Sequence, residues 1–295
     1  MVKASSDHLV FDVNNVDYSF ANALRRIMLA EVPTMAIEYV NIEVNDTPMH
    51  DEVLAHRLGL IPIRADANDY EPCASRADLQ TGKNCIELVL DVTARKSAVK
   101  SDGCVHVLTK EFRAVSGEGA EVSASDKKKK KKKGKDESSD EDDEDADNFM
   151  IHQDILVTKL KPGQRIKIRC FAIRGIGQSH IKWSPVSTAS YRATPKVMLK
   201  DMITGSDAEE IKRVCPKNVF DIEDGELVVA NMKACSMCRE CIRTPKKRDS
   251  IALGRIEDSF CFSVETVGAL APEEIVRRSI KVLKDKCITV RDHME

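Results

Sequence analysis

The sequence predicts an α+β protein, because stretches with helical periodicity and stretches with strand alternation follow one another without a fixed repeat. Two amphipathic helices, one near each end, and an alternating strand after the first carry that prediction. "YSFANALRRIMLAEV" (residues 18 to 32) places Phe20, Leu24, Ile27 and Met28 on one stripe at helical spacing, with Asn22, Arg25, Arg26 and Leu29 turned away from it. Asp17 or Ser19 caps this helix and Pro33 ends it. "AIEYVNIEV" (36 to 44) then alternates as a half-buried strand does. Near the other end, "APEEIVRRSIKVLKDKCITV" opens with Pro272 in a first helical turn, followed by Glu273 and Glu274, which suit the positive end of the helix dipole. Ile275, Val276, Ile280, Leu283, Cys287 and Val290 form a wide apolar face. Each helix needs a surface to cover its stripe, either its own sheet or another chain.

The chain of 295 residues, 42% hydrophobic and 32% charged, can bury a sizeable core divided over two or three sub-domains. A formal net charge of -2 argues against a chain that binds nucleic acid through overall positive charge. No secretory leader and no apolar run of about 18 residues is present, which predicts a soluble, intracellular protein with no membrane contact. In that setting its ten cysteines are thiols or metal ligands rather than a disulfide framework. The sharpest change of composition is "DKKKKKKKGKDESSDEDDEDAD" (126 to 147). With almost nothing apolar to bury, it is predicted to be a disordered loop. The run Lys127 to Lys133 is either a solvated stretch neutralised by the acidic block or a nuclear-localisation or phosphate-binding patch. Ser138 and Ser139 within it are candidates for phosphorylation.

A search for catalytic chemistry finds none. The histidines of "HDEVLAH" (50 to 56) are six apart, whereas a zinc-protease helix needs them four apart on one face. Gly175 and Gly177 form a lone G-x-G without the third glycine of a nucleotide loop. No phosphate-binding G-x-x-x-x-G-K-[ST] loop and no nucleophile elbow occurs. The acidic block lacks the rigid scaffold that a catalytic metal requires.

The cysteines are more specific. "CPKNVFDIEDGELVVANMKACSMCREC" (215 to 241) looks like part of a two-cluster ferredoxin. In such proteins each C-x2-C-x2-C-x3-C-P run gives three ligands to one cluster and its fourth cysteine to the other. Taking Cys215-Pro216 as the end of a first run puts its missing partners at Gly205, Ala208 and Ile211. Taking Cys235, Cys238 and Cys241 as the second run puts its missing fourth ligand at Pro245. One cluster has thus lost all four ligands and the other keeps Cys215, Cys235, Cys238 and Cys241. "VFDIEDGELVV" reads as a hairpin with an Asp-Gly turn that returns Cys215 to the triplet. A [4Fe-4S] cluster, a zinc ion and four free vestigial thiols are the open alternatives; three cysteines at successive x2 spacings suit the cubane better than zinc.

Three further blocks, "FANALRRIMLAEVPTMAIEYVNIEVNDTPMHDEVLAHRLGLIPI" (20 to 63), "RGIGQSHIKWSPVSTASYR" (174 to 192) and "FSVETVGALAPEEIVRRSIKVLKDKC" (262 to 287), closely resemble the signature of the alpha-like subunits of cellular RNA polymerases. Within that family "AEVPTMAIE" and "STASYR" resemble the larger alpha-like subunit shared by polymerases I and III more than its polymerase II counterpart. The polymerase II subunit carries a four-cysteine zinc loop after "LGLIPI"; only Cys73 and Cys85 stand in that region here, so no zinc is expected there.

The resemblance implies a non-catalytic scaffold. Residues 1–66 and 250–295 would form a dimerisation domain built from both chain ends, interrupted by an inserted mixed or β domain at 67–194, with the charged loop at about 114–148, and by a ferredoxin-like insert at 195–249. Phe20, Leu24, Ile27, Met28, Ile275, Val276, Ile280 and Leu283 would pack against the smaller alpha-like subunit. Asn22, Arg25, Arg26, Arg57, Lys182 and Trp183 would dock the second-largest subunit, and small zinc-binding polymerase subunits would be further partners. The family block has lysine where Arg174 stands and a small residue where Ile181 stands. The resemblance also implies a location in the nucleus, including the nucleolus, and contact with DNA only through the complex. Two rival readings make other demands: an electron carrier needs the cysteine quartet and a redox partner, and a direct nucleic-acid binder needs the lysine run.

Overall fold

The computed structural model describes residues 3–115, 149–243 and 249–294. The charged stretch from Lys127 to Lys133, its acidic continuation, and Ser138 and Ser139 lie outside the described residues, as does Pro245. In chain order the first elements are β1 (Lys3–Ala4), β2 (His8–Asn14), α1 (Tyr18–Ala30), β3 (Thr34–Asn45), α2 (Asp51–Gly59), β4 (Cys85–Thr93), β5 (Val105–Leu108) and β6 (Arg113–Val115). Then come β7 (Leu156–Leu160), β8 (Arg165–Gly175), β9 (Val186–Leu199), α3 (Gly205–Val214), β10 (Phe220–Glu223), β11 (Glu226–Val229), β12 (Ile251–Thr266) and α4 (Pro272–Asp292). Among the described residues no helix is long and apolar enough to cross a membrane.

The predicted elements form, for identifiable reasons. Asp17 caps α1 by accepting the Ser19 amide at 3.1 Å, and the Ser19 hydroxyl and amide hold its carboxyl below the ordinary range. Pro33, which has no amide hydrogen, follows the end of the helix. The predicted hairpin is β10 paired antiparallel with β11, in register from Phe220↔Val229 to Glu223↔Glu226. Its turn places both Asp224 (φ 51) and Gly225 (φ 83) in the left-handed region, as the Asp-Gly pair requires.

The described residues divide into two compact units. One comprises residues 1–4, 9–25 and 190–263. Its main sheet has the order β1-β2-β12-β9, and β10 and β11 form a second, two-stranded sheet. Phe11 stacks on Phe262 at 5.1 Å, and Tyr191 meets Phe260 edge-on at 5.6 Å. A separate core gathers Ala208 and Ile211 of α3 with Phe220, Leu227 and Ile251.

The other unit comprises residues 5–8, 26–189 and 264–295. It is built on a four-stranded sheet of order β3-β8-β4-β6 and a pair of strands, β5 and β7. On β8 burial alternates from Ile166 to Ala172: Ile166, Ile168, Cys170 and Ala172 are fully buried, and Ile173 after them is buried too. On the other face of its first half, Arg165 pairs with Asp91 at 2.7 Å, Lys167 with Glu43 at 2.6 Å and Arg169 with Glu43 at 3.0 Å. In the first unit's main sheet β12 lies between β2 and β9, so strands from three distant parts of the chain pair together.

Gly175 and Gly177, the lone G-x-G, serve packing. A Cβ on Gly175 would stand 2.3 Å from the Trp183 indole, and one on Gly177 would stand 2.3 Å from the Leu29 carbonyl oxygen. Trp183 is itself a core residue, 7% exposed, and its indole N–H donates to the Ile173 carbonyl at 3.1 Å.

Candidate cluster site and subunit interfaces

The fold brings Cys215, Cys235, Cys238 and Cys241 to the walls of one cavity. Cys215 follows the last turn of α3 and donates its amide to the Ile211 carbonyl at 3.2 Å. The β10-β11 hairpin then returns the chain to a tight loop in which Cys235 closes one 3-10 turn and Cys241 sits in another. Between them Met237 (φ 59) and Arg239 (φ 65) are left-handed, one on each side of Cys238. Cys215 and Cys241 are buried, Cys235 is half-buried and Cys238 is exposed. The Val219 amide donates to the Cys215 sulfur at 3.4 Å, and Lys217 and Arg239 line the same cavity.

Burial, and then the charges of Cys235, Cys238 and Cys215, push the Cys241 thiol up to about 11. Four thiolates here therefore repel one another unless a cationic centre compensates them. Among the described residues, no three His, Cys, Asp or Glu side chains are grouped to hold a single metal ion. A tetrahedral zinc with Zn–S bonds of about 2.3 Å needs its sulfurs within about 4 Å of one another. A cubane spaces its four thiolates around a wider body. Four cysteines lining one cavity supply thiolate ligands of the kind that either group takes.

Of the positions where a first run of cysteines would stand, Ala208 and Ile211 are core and Gly205 is exposed. Gly205, Ala208 and Ile211 all lie on α3, and Ala208 and Ile211 are 0% and 1% exposed.

The helix α4 divides the wide apolar face read from sequence into two. Ile275 is completely buried together with Ser279, and so belongs to the chain's own core. Val276 and Leu283 are half-buried, whereas Ile280 is 49% and Val290 59% exposed. At about 100° per residue, Val276, Ile280, Leu283, Cys287 and Val290 fall within about 80° of one another and leave Ile275 outside that arc. On α1 the predicted stripe sorts the same way: Leu24, Ile27 and Met28 are at most 3% exposed, and of the four only Phe20, at 37%, has surface to offer. Of the eight residues expected at the dimer interface, four are thus interior and four are available.

Ionic contacts that the sequence reading missed hold α4 in place. The Arg278 fork donates to Asp66 Oδ1 at 2.9 Å and Oδ2 at 2.5 Å, and its Nε to Glu274 Oε1 at 2.9 Å. The guanidinium holds the Asp66 carboxyl below its ordinary value, and the carboxylates raise that of Arg278. Lys286 pairs with Glu31 at 2.6 Å. The i, i+4 spacing of Glu274 and Arg278 was visible in the sequence; Asp66 is 212 residues away.

The expected docking residues lie at several places. Arg25 donates to Asn22 Oδ1 at 2.9 Å, and Arg26 is exposed. Arg57, exposed on α2, donates to the Leu156 carbonyl at 2.7 Å. Lys182 pairs with Glu38, donates to the Ile37 carbonyl at 3.0 Å and lies 4.5 Å above the Trp183 ring. Beside it Ile181 is 66% exposed.

Residues 10–287 match the model of the RNA polymerase Rpb3/Rpb11 dimerisation domain. The chain belongs to this RNA polymerase subunit family. It is 38% identical to the Dictyostelium discoideum DNA-directed RNA polymerases I and III subunit rpac1, over 99% of this chain and 80% of that protein. It is 37% identical to the Saccharomyces cerevisiae DNA-directed RNA polymerases I and III subunit RPAC1, over 94% of this chain and 81% of that one. Against the Dictyostelium discoideum RNA polymerase II subunit rpb3 the identity is 32%, over all of this chain and 93% of that protein.

Proposed function

We propose that this chain is a non-catalytic assembly subunit of DNA-directed RNA polymerases I and III, a nucleotidyltransferase complex, and that it works in the nucleus and nucleolus in the synthesis of rRNA, tRNA and 5S RNA. It pairs with the smaller alpha-like subunit through Phe20 on α1 and the stripe Val276, Ile280 and Leu283 on α4. The observation that carries this reading is the half-exposed apolar stripe on a helix whose other face is already buried and ionically tethered. A soluble monomer gains nothing from such a stripe, and an obligate interface needs one. The higher identity to the polymerase I and III subunit than to the polymerase II subunit of the same organism favours the first pair of enzymes.

The dimerisation domain would comprise residues 1–66 and 250–295, with the inserts at 67–194 and 195–249 as the resemblance divides them. Asn22, Arg25, Arg26, Arg57 and Lys182 would dock the second-largest subunit, arginine suiting such contacts through its planar fork. Buried Trp183 would act there by supporting Lys182 rather than by direct contact. Small zinc-binding subunits would complete the assembly, and DNA would be met only through the complex. Cys215, Cys235, Cys238 and Cys241 would hold one [4Fe-4S] cluster, which when bound supplies a covalent staple between the end of α3 and the loop after the hairpin.

The test is an anaerobic affinity purification of the tagged protein from its own cells, with subunits identified by mass and iron and zinc quantified. Recovery of the largest subunits of polymerases I and III with a smaller alpha-like partner, and about four irons per chain, is the expected result. Polymerase II subunits, or a reductase, in their place would overturn the assignment, and one zinc without iron would overturn the cluster.

A further inference from the structure

A cluster of titratable side chains that the proposed function leaves unused sits on the turn leading into β5 and on β7. The Lys100 amide donates to the Cys104 carbonyl at 2.9 Å, and Gly103 (φ 76) donates its own amide to the Lys100 carbonyl at 3.0 Å. Asp102 Oδ1 accepts the Cys104 amide at 3.3 Å, and Oδ2 lies 2.8 Å from both His106 Nε2 and Lys159 Nζ. Lys159 stands directly opposite His106 in the β5-β7 register. On the other side of the imidazole, Lys100 Nζ lies 3.2 Å from His106 Nδ1.

These partners fix the proton of the ring. An ammonium only donates and a carboxylate only accepts, so in the neutral ring Nδ1 is bare and Nε2 carries the hydrogen that Asp102 receives. Asp102 stays ionised, since His106 first and Lys159 second hold its carboxyl well below the ordinary range. The two lysines are thereby given different roles. The Asp102 carboxylate raises the pKa of Lys159, so that ammonium keeps its proton. Lys100 faces a basic nitrogen instead, with the carboxylate behind the ring to stabilise the imidazolium. Carboxylate, imidazole and nucleophile in that order make the arrangement that activates a serine hydroxyl for acyl transfer; here the nucleophile is an amine. Lys100 is exposed, so a reagent in solution has access to it.

We infer that Lys100 is a self-activated acylation site that takes the acyl group of an acyl thioester, with His106 as general base and Asp102 holding the imidazole. The Lys100 ammonium passes one proton to His106 Nδ1, and the free amine attacks the carbonyl carbon. The C–N bond forms and the C–S bond breaks, with the electron pair leaving on sulfur. The second amine proton goes to that thiolate to give the free thiol, and His106 returns its proton to water. The product amide carries no charge, so acylation removes one of the two lysine charges beside Asp102.

The full-length chain, purified from its own cells, is incubated with acetyl-coenzyme A near neutral pH, and acetyl groups are mapped by mass along a time course. Lys96 and Lys110 are the references, since both are exposed and lie on neighbouring 3-10 turns. Lys100 should be acetylated about a hundredfold faster than either, the lower end of what a positioned base contributes. His106→Gln keeps a hydrogen-bond acceptor for Lys100 but supplies no base. It should bring the Lys100 rate down to that of the references at an unchanged melting temperature. Equal rates at Lys100, Lys96 and Lys110 in the wild type overturn the inference whether or not the variant folds, and so does an undiminished Lys100 rate in His106→Gln. Acetyl groups on Cys104 or Lys159 in place of Lys100 overturn the choice of nucleophile.

Discussion

Replacing Ile280 with alanine separates what α4 does for its own chain from what it does for a partner. Ile280 is 49% exposed, so roughly half of its side chain still has water to lose. Full burial of an isoleucine side chain is worth about 1.5 to 3 kcal/mol, so covering the remaining half contributes about 0.8 to 1.5 kcal/mol. With a modest void added at a packed interface, Ile280→Ala should weaken the heterodimer by about 1 to 2 kcal/mol, or roughly five- to thirty-fold in Kd. Ile275, one and a half turns earlier on the same helix, is completely buried. Ile275→Ala should instead destabilise the fold by about 2 to 5 kcal/mol and leave the dissociation rate of the folded heterodimer nearly unchanged. The assay is exchange of the smaller subunit from co-purified heterodimer, well below the melting temperature, alongside thermal unfolding of the same samples. Faster exchange for the Ile275 variant at unchanged melting temperature, with no change for the Ile280 variant, would refute the division of α4 into an inner and an outer face.

Other outcomes follow from the same geometry. Gly175→Ala, whose new Cβ would meet the Trp183 ring at 2.3 Å, should cost about 1 to 3 kcal/mol. Since Trp183 is the only tryptophan, its intrinsic fluorescence should shift to the red as it is displaced. Asp66 has a depressed pKa because Arg278 stabilises its ionised form, so its contribution is fully present above the unfolded value of about 3.8 and is lost as pH falls below it. Acid unfolding curves of wild type and Asp66→Asn should therefore differ at neutral pH and converge under acid; curves that stay parallel would show that the pair does not anchor α4. Lys182→Met should leave the Ile37 carbonyl and Glu38 without their donor, costing about 1 to 3 kcal/mol. It should also lower recovery of the second-largest subunit in pull-downs; undiminished recovery would remove Lys182 from the docking surface.

Much of this was legible in the sequence because local rules and packing agree. Asp17, Pro33, Pro272 and the Asp224-Gly225 turn each act within a few residues of their own position, and the elements they punctuate stand where periodicity places them. The cysteine spacing was legible for the same reason, since ligand runs are written in consecutive residues. The strict alternation of "RIKIRC" in β8 was equally visible and was overlooked.

By itself, then, the sequence determined the fold class, the two terminal helices with the strand and hairpin read from it, the family and the four cysteines that share a cavity, because each depends on short-range spacing. Only the tertiary structure decided which apolar residues of α1 face inward: Met28 is core and Phe20 is surface, although periodicity puts both on one face. Only it brought Asp66 to Arg278 across 212 residues, and only it left Cys238 as the one exposed corner of the quartet. Burial and ion pairing are properties of what distant segments place beside a side chain, and no local pattern contains that information.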